Sequence, residues 1–275
     1  MIQSKHEDVS SWASRIDTVI GNIPCPIVQR VVVVESVRST QDTALEFARG
    51  RSDMLLVASQ QTNGRGTHGR EWDDGDRSTL PCTFVLKPTN IDAPTLSSLV
   101  ACALHETLNA LVTRDVDLRI KWPNDIIART EAGDRKLSGV LIEQRMGLCL
   151  IGIGVNCVQS GADWSPGLRD VAISLCELGA QTTRLDLVCR LIEHLSQWFA
   201  ACDRGAIRDY FHMHNAMVGT LRTFKFNNTC YHGIVEHIDP LGCITIETPT
   251  GRFELPVAQT QHIRGDEPCE DLGDC

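Results

Sequence analysis

The chain has 275 residues, 42% hydrophobic and 22% charged, which is ordinary globular usage and excludes a disordered or collagen-like polymer. Lys and Arg total 26 against 35 Asp and Glu, a net charge of −9, so the chain is a poor general binder of polyanions such as nucleic acid. Twelve cysteines, scattered with no C-x-x-C, support neither a disulfide-built scaffold nor a zinc ribbon.

The first residues, MIQSKHED, are charged and lead into no continuous apolar run, so the sequence carries no secretory signal. No stretch approaches the roughly 18 apolar residues a membrane helix needs. The expectation is a cytoplasmic chain with reduced thiols, no membrane contact and a surface helix within residues 1–25.

Val31–Glu35 is a β-branched run and predicts a buried strand. Ser39 or Thr40 then caps a short helix carrying Ala44, Leu45 and Ala48 on one face, closed by Gly50. Met54–Ala58 and Thr83–Leu86 read as strands on either side of a glycine-rich loop. Apolar residues at 96, 99, 100, 103, 104, 108 and 111 give helical spacing over Thr95–Val112. Leu118–Trp122, Leu137–Glu143 and Leu148–Val155 follow as strands, the last two forming a hairpin around Met146-Gly147. Leu185–Phe199 is a second amphipathic helix. After Asn215, turns at Asn227-Asn228, Pro240-Leu241-Gly242 and Pro249-Thr250-Gly251 punctuate short strands and predict a small antiparallel barrel over 218–264. The remainder is an acidic tail, 265–275.

Three segments carry chemistry. Gly64-Arg65-Gly66-Thr67-His68-Gly69-Arg70 contains G-x-G-x-x-G, yet loop residues follow its third glycine where a dinucleotide fingerprint opens a helix. It reads instead as an anion-binding loop whose amides and arginines close over a ligand, or as a solvated turn. Lys121-Trp122-Pro123-Asn124-Asp125 ends a strand at Pro123 and presents an ammonium, an amide and a carboxylate. That set suits a metal-nucleotide phosphate, although such a turn also occurs without function. Lys136-Leu-Ser-Gly139 places a lysine at the start of a buried strand, where it needs an anionic partner, either Glu143 or a bound carboxylate or phosphate. Gly152-Ile-Gly154-Val-Asn156 closes the next strand with a close backbone approach or a bulge.

Taken in order, Ser39-Thr40-Gln41-Asp42, Gln61 with the loop through Trp72, Lys121-Trp122-Pro123-Asn124-Asp125, Lys136-Leu-Ser-Gly139 and Gly152–Asn156 resemble the biotin protein ligase family. The resemblance implies an α+β fold: a mixed-sheet catalytic domain of the biotin/lipoate ligase type over 26–215, an extension at 1–25, and an SH3-like barrel at 218–264. It implies two steps with biotin and ATP as substrates and Mg²⁺: formation of biotinyl-5′-AMP, then transfer to a lysine of the biotin carboxyl carrier domain of a carboxylase. The implied biotin site is Ser39, Thr40, Gln41, Gln61, Arg65, Gly66, Thr67, Lys136 and Gly139. The implied ATP site is Arg70, Trp72, Lys121, Asn124, Asp125 and Asn156, with Trp72 over adenine. Lys136 and Arg65 would hold the reacting anions. Asp125 would meet Mg²⁺ and take the proton of the incoming lysine.

The family usually has arginine where Thr67 stands and Asn or Ser where Gln41 stands. Losing that cation implies weaker retention of the adenylate unless Arg70 or His68 replaces it. Some members carry an amino-terminal helix-turn-helix; about 25 residues precede the first strand here, so no DNA binding is expected. A monomer or homodimer fits. The rivals are a lipoate or octanoate ligase or transferase on the same fold, and a non-catalytic biotin-binding module.

Overall fold

The computed structural model describes residues 7–263. The helix α1 (Trp12–Asn22) precedes β1 (Arg30–Val37), α2 (Thr40–Ala48) and β2 (Met54–Gln61). The glycine-rich loop is pinned by the two-residue strands β3 (Gly64–Arg65) and β4 (Glu71–Trp72), before β5 (Thr79–Leu86) and α3 (Ala93–Asn109). A meander of β6 (Asp117–Lys121), β7 (Asp125–Thr130), β8 (Gly133–Arg145) and β9 (Leu148–Asn156) leads to α4 (Arg184–Ala201) and α5 (Arg204–His214). The chain then forms β10 (Leu221–Phe226), β11 (Thr229–Ile238), β12 (Cys243–Thr248), β13 (Gly251–Pro256) and β14 (Gln261–Ile263).

Seven strands form one mixed sheet in the order β1-β2-β5-β9-β8-β7-β6, with β1 and β2 parallel and every other pair antiparallel. Its centre reads as unbroken apolar sequence because both faces are covered. Along β2 the side chains alternate: Leu55 and Val57 enter the main core with α1, α3 and α4, while Met54 and Leu56 pack with Ala44 and Ala48 of α2 on the opposite face. All eight residues of β5 are buried. The side chain of Asp92 caps α3 by accepting from Thr95 N, and that of Thr183 caps α4 by accepting from Asp186 N. Met146 and Gly147, both at positive φ, make the tight turn of the β8–β9 hairpin.

Three elements differ from expectation. The α1 helix is not a surface helix: Trp12, Ile16 and Ile20 are buried in the main core. Lys121-Trp122-Pro123-Asn124-Asp125 ends β6 as expected, but the strand that follows it, β7, was not expected. The five residues make a hairpin turn in which Lys121 at the end of β6 faces Asp125 at the start of β7. The α5 helix is an addition, capped by Asp203 and burying Ile207 and Phe211.

Strands after 218 form an antiparallel sheet in the order β13-β12-β11-β10-β14, with turns at the expected asparagine and proline-glycine positions. This sheet is seated on the first. Ala216 N donates to Ile120 O at 2.9 Å, Arg129 Nη2 donates to Ala216 O at 2.9 Å, and Trp122 meets Phe224 edge-on with ring centroids 6.0 Å apart. The acidic tail falls outside the described residues. Among the described residues no helix is long and apolar enough to cross a membrane. Nine described cysteines are free thiols, while Cys230 is disulfide-bonded, contrary to the expectation of reduced thiols throughout.

Candidate active site

The sequence of β9 explains how a cavity opens beside a packed sheet. In Ile151-Gly152-Ile153-Gly154 the isoleucines enter the core and the glycines face the other way, so one strand serves both as wall and as cavity floor. A Cβ on Gly154 would lie 2.6 Å from Trp72 Cε2, and one on Gly152 would lie 2.6 Å from Gln41 Nε2. Both glycines therefore make room for the side chains above them.

That space, about 50 Å³, is lined by Ser39, Thr40 and Gln41 at the start of α2, Gln61 at the end of β2, and Arg65, Gly66, Thr67 and Trp72 from the glycine-rich loop. Asp125, Lys136, Gly139 and Leu141 complete its wall. Residues separated by a hundred positions thus meet around one cavity. Thr40 donates its backbone N–H and its hydroxyl to Gln61 Oε1 at 2.8 and 3.1 Å, and Gln41 Nε2 donates to Leu141 O at 2.9 Å. Gln41 Oε1 and Trp72 Nε1 are buried without hydrogen-bond partners among the described residues, a neutral acceptor and a neutral donor suited to a polar, uncharged ligand group.

Lys136 is the cationic centre. Its Nζ is 2.7 Å from Asp125 Oδ1 and 5.5 Å from the centroid of the Trp72 ring. Asp125, not Glu143, is therefore the internal partner of this lysine. The backbone of Lys136 is fixed by Val171 and Ile173, and Asn156 Nδ2 donates to its carbonyl at 3.1 Å. Asn156 thereby locks the lysine's strand against β9 while lining the adjoining cleft.

That second, wider cleft of about 540 Å³ shares Gly66, Thr67, Trp72, Asp125 and Lys136 with the first. Arg70 and Lys121 line it, together with Arg222, His232 and His262 of the second sheet, which the sequence reading did not include. Asn124 stands apart. Its Nδ2 donates to Val140 O at 3.0 Å, it is buried, and it lines neither space. The amide expected at ATP instead ties the β6–β7 turn to β8.

Arg65 belongs to a charge cluster that also escaped the sequence reading. It forks onto Asp42 at 2.8 and 3.0 Å, and Arg145 Nη1 reaches the same carboxylate at 2.6 Å. Glu143 Oε2 lies 3.6 Å from Arg65 and 3.7 Å from Arg145. The hydrogen bonds from Arg65, opposed by partial burial, hold the Asp42 carboxyl below its ordinary value. Nothing local marks this cluster, because Asp42 and Arg145 are joined only by the sheet.

Among the described residues no group of three or more His, Cys, Asp or Glu side chains could hold a metal. Asp125, one of four carboxylates lining the wider cleft with Glu71, Asp73 and Asp134 and the one shared with the first cavity, fits a Mg²⁺ that brings most of its ligands as phosphate oxygens and water.

Residues 33–157 match the model of the biotin/lipoate A/B protein ligase family. The chain is 30% identical over 240 residues to a biotin–[acetyl-CoA-carboxylase] ligase of Paracoccus denitrificans, covering 80% of this chain and 95% of that one. It is 28% identical to the bifunctional ligase/repressor BirA of Bacillus spizizenii over 243 residues, 81% of this chain and 71% of that one. Its fold is similar to that of Aquifex aeolicus biotin protein ligase in complex with biotin and ATP, with TM-score 0.72 and 23% identity, covering 85% of this chain and 98% of that one. With identity of that order running along almost the whole Paracoccus enzyme, and with the lysines, glycines and loop gathered at one cavity, the chain belongs to the biotin protein ligase family.

Proposed function

We propose that the chain activates biotin with ATP as biotinyl-5′-AMP and transfers it to a lysine of a biotin carboxyl carrier domain. The observation that carries this reading is one cavity lined both by the cations Lys136 and Arg65 and by the neutral Ser39, Thr40, Gln41 and Gln61. An uncharged ureido ring needs donors and acceptors without charge, and its carboxylate tail needs a cation at the other end.

In the first step a biotin carboxylate oxygen bonds to the α-phosphorus, the bond to the bridging oxygen breaks, and pyrophosphate leaves. Lys136 holds the carboxylate against the phosphate and offsets the charge that builds on phosphorus. Arg65 acts on the same anions, releasing part of its hold on Asp42. Trp72 covers the adenine, and Arg70 and Lys121 meet the phosphates in the wider cleft. Asp125 would hold a Mg²⁺ brought by the nucleotide, which would supply neutralisation of phosphate charge. In the second step the carrier's lysine amine attacks the acyl carbon, AMP departs, and Asp125 takes the amine proton. Gly66, Thr67 and Gly139 shape the biotin end, and Asn156 keeps Lys136 in register. Orientation of the two anions supplies much of the acceleration.

A monomer or a homodimer is compatible with this work, and so is a cytoplasmic setting, nine of the described cysteines being free thiols beside the disulfide-bonded Cys230. The test is incubation with biotin, MgATP and a carrier domain, read as the mass increase of the carrier. Pyrophosphate exchange with biotin, lipoate and octanoate in parallel identifies the acid. Preference for lipoate or octanoate would transfer the reading to those acids, and binding without exchange would reduce it to a biotin-binding module.

A further inference from the structure

Beneath the cavity lies a carboxylate that belongs to none of the motifs. Asp74, in the segment between β4 and β5, is 5% exposed. Its Oδ2 accepts the backbone N–H of Gln61 at 2.8 Å, and its Oδ1 accepts the Thr79 hydroxyl. Gln61 Oε1 in turn accepts from the backbone and hydroxyl of Thr40, and the Thr83 hydroxyl donates to Thr40 Oγ1 at 3.0 Å. A continuous line of hydrogen bonds therefore runs from Asp74 through Gln61 to Thr40, and the last two line the cavity.

A buried carboxylate is costly unless donors compensate it. One of the two donors here is the main chain of a pocket residue, so the charge and the pocket are mechanically joined. The other charged groups facing it are Arg184 at the start of α4, Glu7 beside that arginine at 3.8 Å, and the neighbouring Asp73; Cys157, after β9, adds a thiol that burial keeps neutral. Arg184 spends its guanidinium on the carbonyls of Ser59 and Thr79 at 2.9 and 3.2 Å, and acts on Asp74 only at a distance. Burial pushes the Asp74 carboxyl up to about 6, inside the working pH range.

We infer that Asp74 is a positioning residue for biotin: it fixes the Gln61 backbone, and through it the Gln61–Thr40 pair that meets the ureido ring. The inference rests on the biotin reading of the cavity. An ionised carboxylate accepts more strongly than a neutral one, so the hold tightens above about pH 6 and slackens below it.

The test is calorimetric biotin binding to the full chain at pH 5.5 and 8.0 for wild type, Asp74→Ala and Asp74→Asn. The alanine variant should raise Kd for biotin roughly tenfold at pH 8.0, the scale of losing a charge-assisted hydrogen bond. The asparagine variant keeps an acceptor for Gln61 and should stay within about threefold of wild type. It should also lose the weakening that wild type shows at pH 5.5. If the alanine variant does not fold, the pH dependence of the asparagine variant decides alone. A wild-type Kd that is flat with pH, an asparagine variant that keeps the full pH dependence, or an alanine variant with lowered Tm but unchanged Kd would each overturn the inference. Wild type that binds biotin yet exchanges no pyrophosphate would sink the ligase reading and leave the role of Asp74 standing. Wild type with no affinity for biotin overturns both.

Discussion

Replacing Lys136 with methionine separates its work on substrate from its work on Asp125. The ammonium lies 2.7 Å from Asp125 Oδ1, and the two side chains are 28% and 13% exposed. Breaking a fully buried pair costs about 3–5 kcal/mol, and the partial exposure here reduces that to about 1–3 kcal/mol. The catalytic term is separate. Opposite charges about 4 Å apart at an effective dielectric of about 20 interact by about 4 kcal/mol. One preorganised donor at a developing charge is worth roughly 2.7–4 kcal/mol, or 10²–10³ in rate. Lys136→Met should therefore lower both Tm and biotin-dependent pyrophosphate exchange. Adding Asp125→Asn removes the carboxylate charge that the lysine neutralised. The double variant should recover Tm and leave exchange depressed at least a hundredfold. Exchange reads the first step alone, in which proton acceptance by Asp125 has no part, and the Asp125→Asn single variant, assayed alongside, gives the share of any loss that comes from its place beside Mg²⁺ and the nucleotide. If exchange returned together with Tm, Lys136 would be nothing more than a partner for Asp125, and the mechanism would fall.

Three further outcomes are expected. Gly154→Ala puts a Cβ 2.6 and 2.7 Å from two atoms of the Trp72 ring, which must retreat by about 1 Å; with an overpacking cost of about 1–3 kcal/mol, KM for both biotin and ATP should rise in exchange assays, and unchanged values would count against the proposed place of Trp72. His105 is fully buried between Tyr210 and the Leu118 carbonyl, and burial lowers its pKa to about 4. The unfolded chain protonates this histidine near the ordinary 6.5, so stability should be lost as pH falls from 6.5 towards 4, by up to about 3 kcal/mol. Asp74 contributes with the opposite sign between 3.8 and about 6, so urea unfolding of wild type against His105→Gln isolates the histidine's share. Thr67→Arg should slow dissociation of the adenylate, measured by chase with unlabelled biotin and ATP; an unchanged rate would show that Thr67 does not set retention.

The parts of the molecule visible in the sequence are those with a local cause. The β-branched run at Val31, the 3.6-residue stripe from Leu96 and the Met146-Gly147 turn each carry their own signal, and each element appears where its signal lies. The site motifs were visible because their glycines and lysines are chemically odd for buried strands. What stayed hidden depends on neighbours distant in sequence. Pro123 reads as a strand terminator and β6 does stop before it, but nothing local announces that β7 pairs back on β6. Asn124 has the chemistry of a ligand residue and spends it on Val140 O. The partner of Lys136 is Asp125 rather than Glu143 because Glu143 is drawn to Arg65 and Arg145. Arg184, one residue before the predicted helix, is wholly buried, its ring neighbour Trp12 lying in the segment expected to be peripheral.

The seating of the second sheet has a practical corollary for anyone trimming this enzyme. Trp122, held edge-on by Phe224, occupies the bend between Lys121 and Asp125, and Arg129 one strand further on is clasped by the carbonyl of Ala216. A chain stopped near residue 215 would forfeit those braces, and the hairpin bearing Lys121 and Asp125 would sway. Such a minimal version should still recognise biotin, whose cradle is built from α2, β2 and β9, while its grip on ATP deteriorates. The carboxyl-terminal strands thus serve as a buttress for the hairpin bearing Lys121 and Asp125, where the nucleotide is proposed to bind.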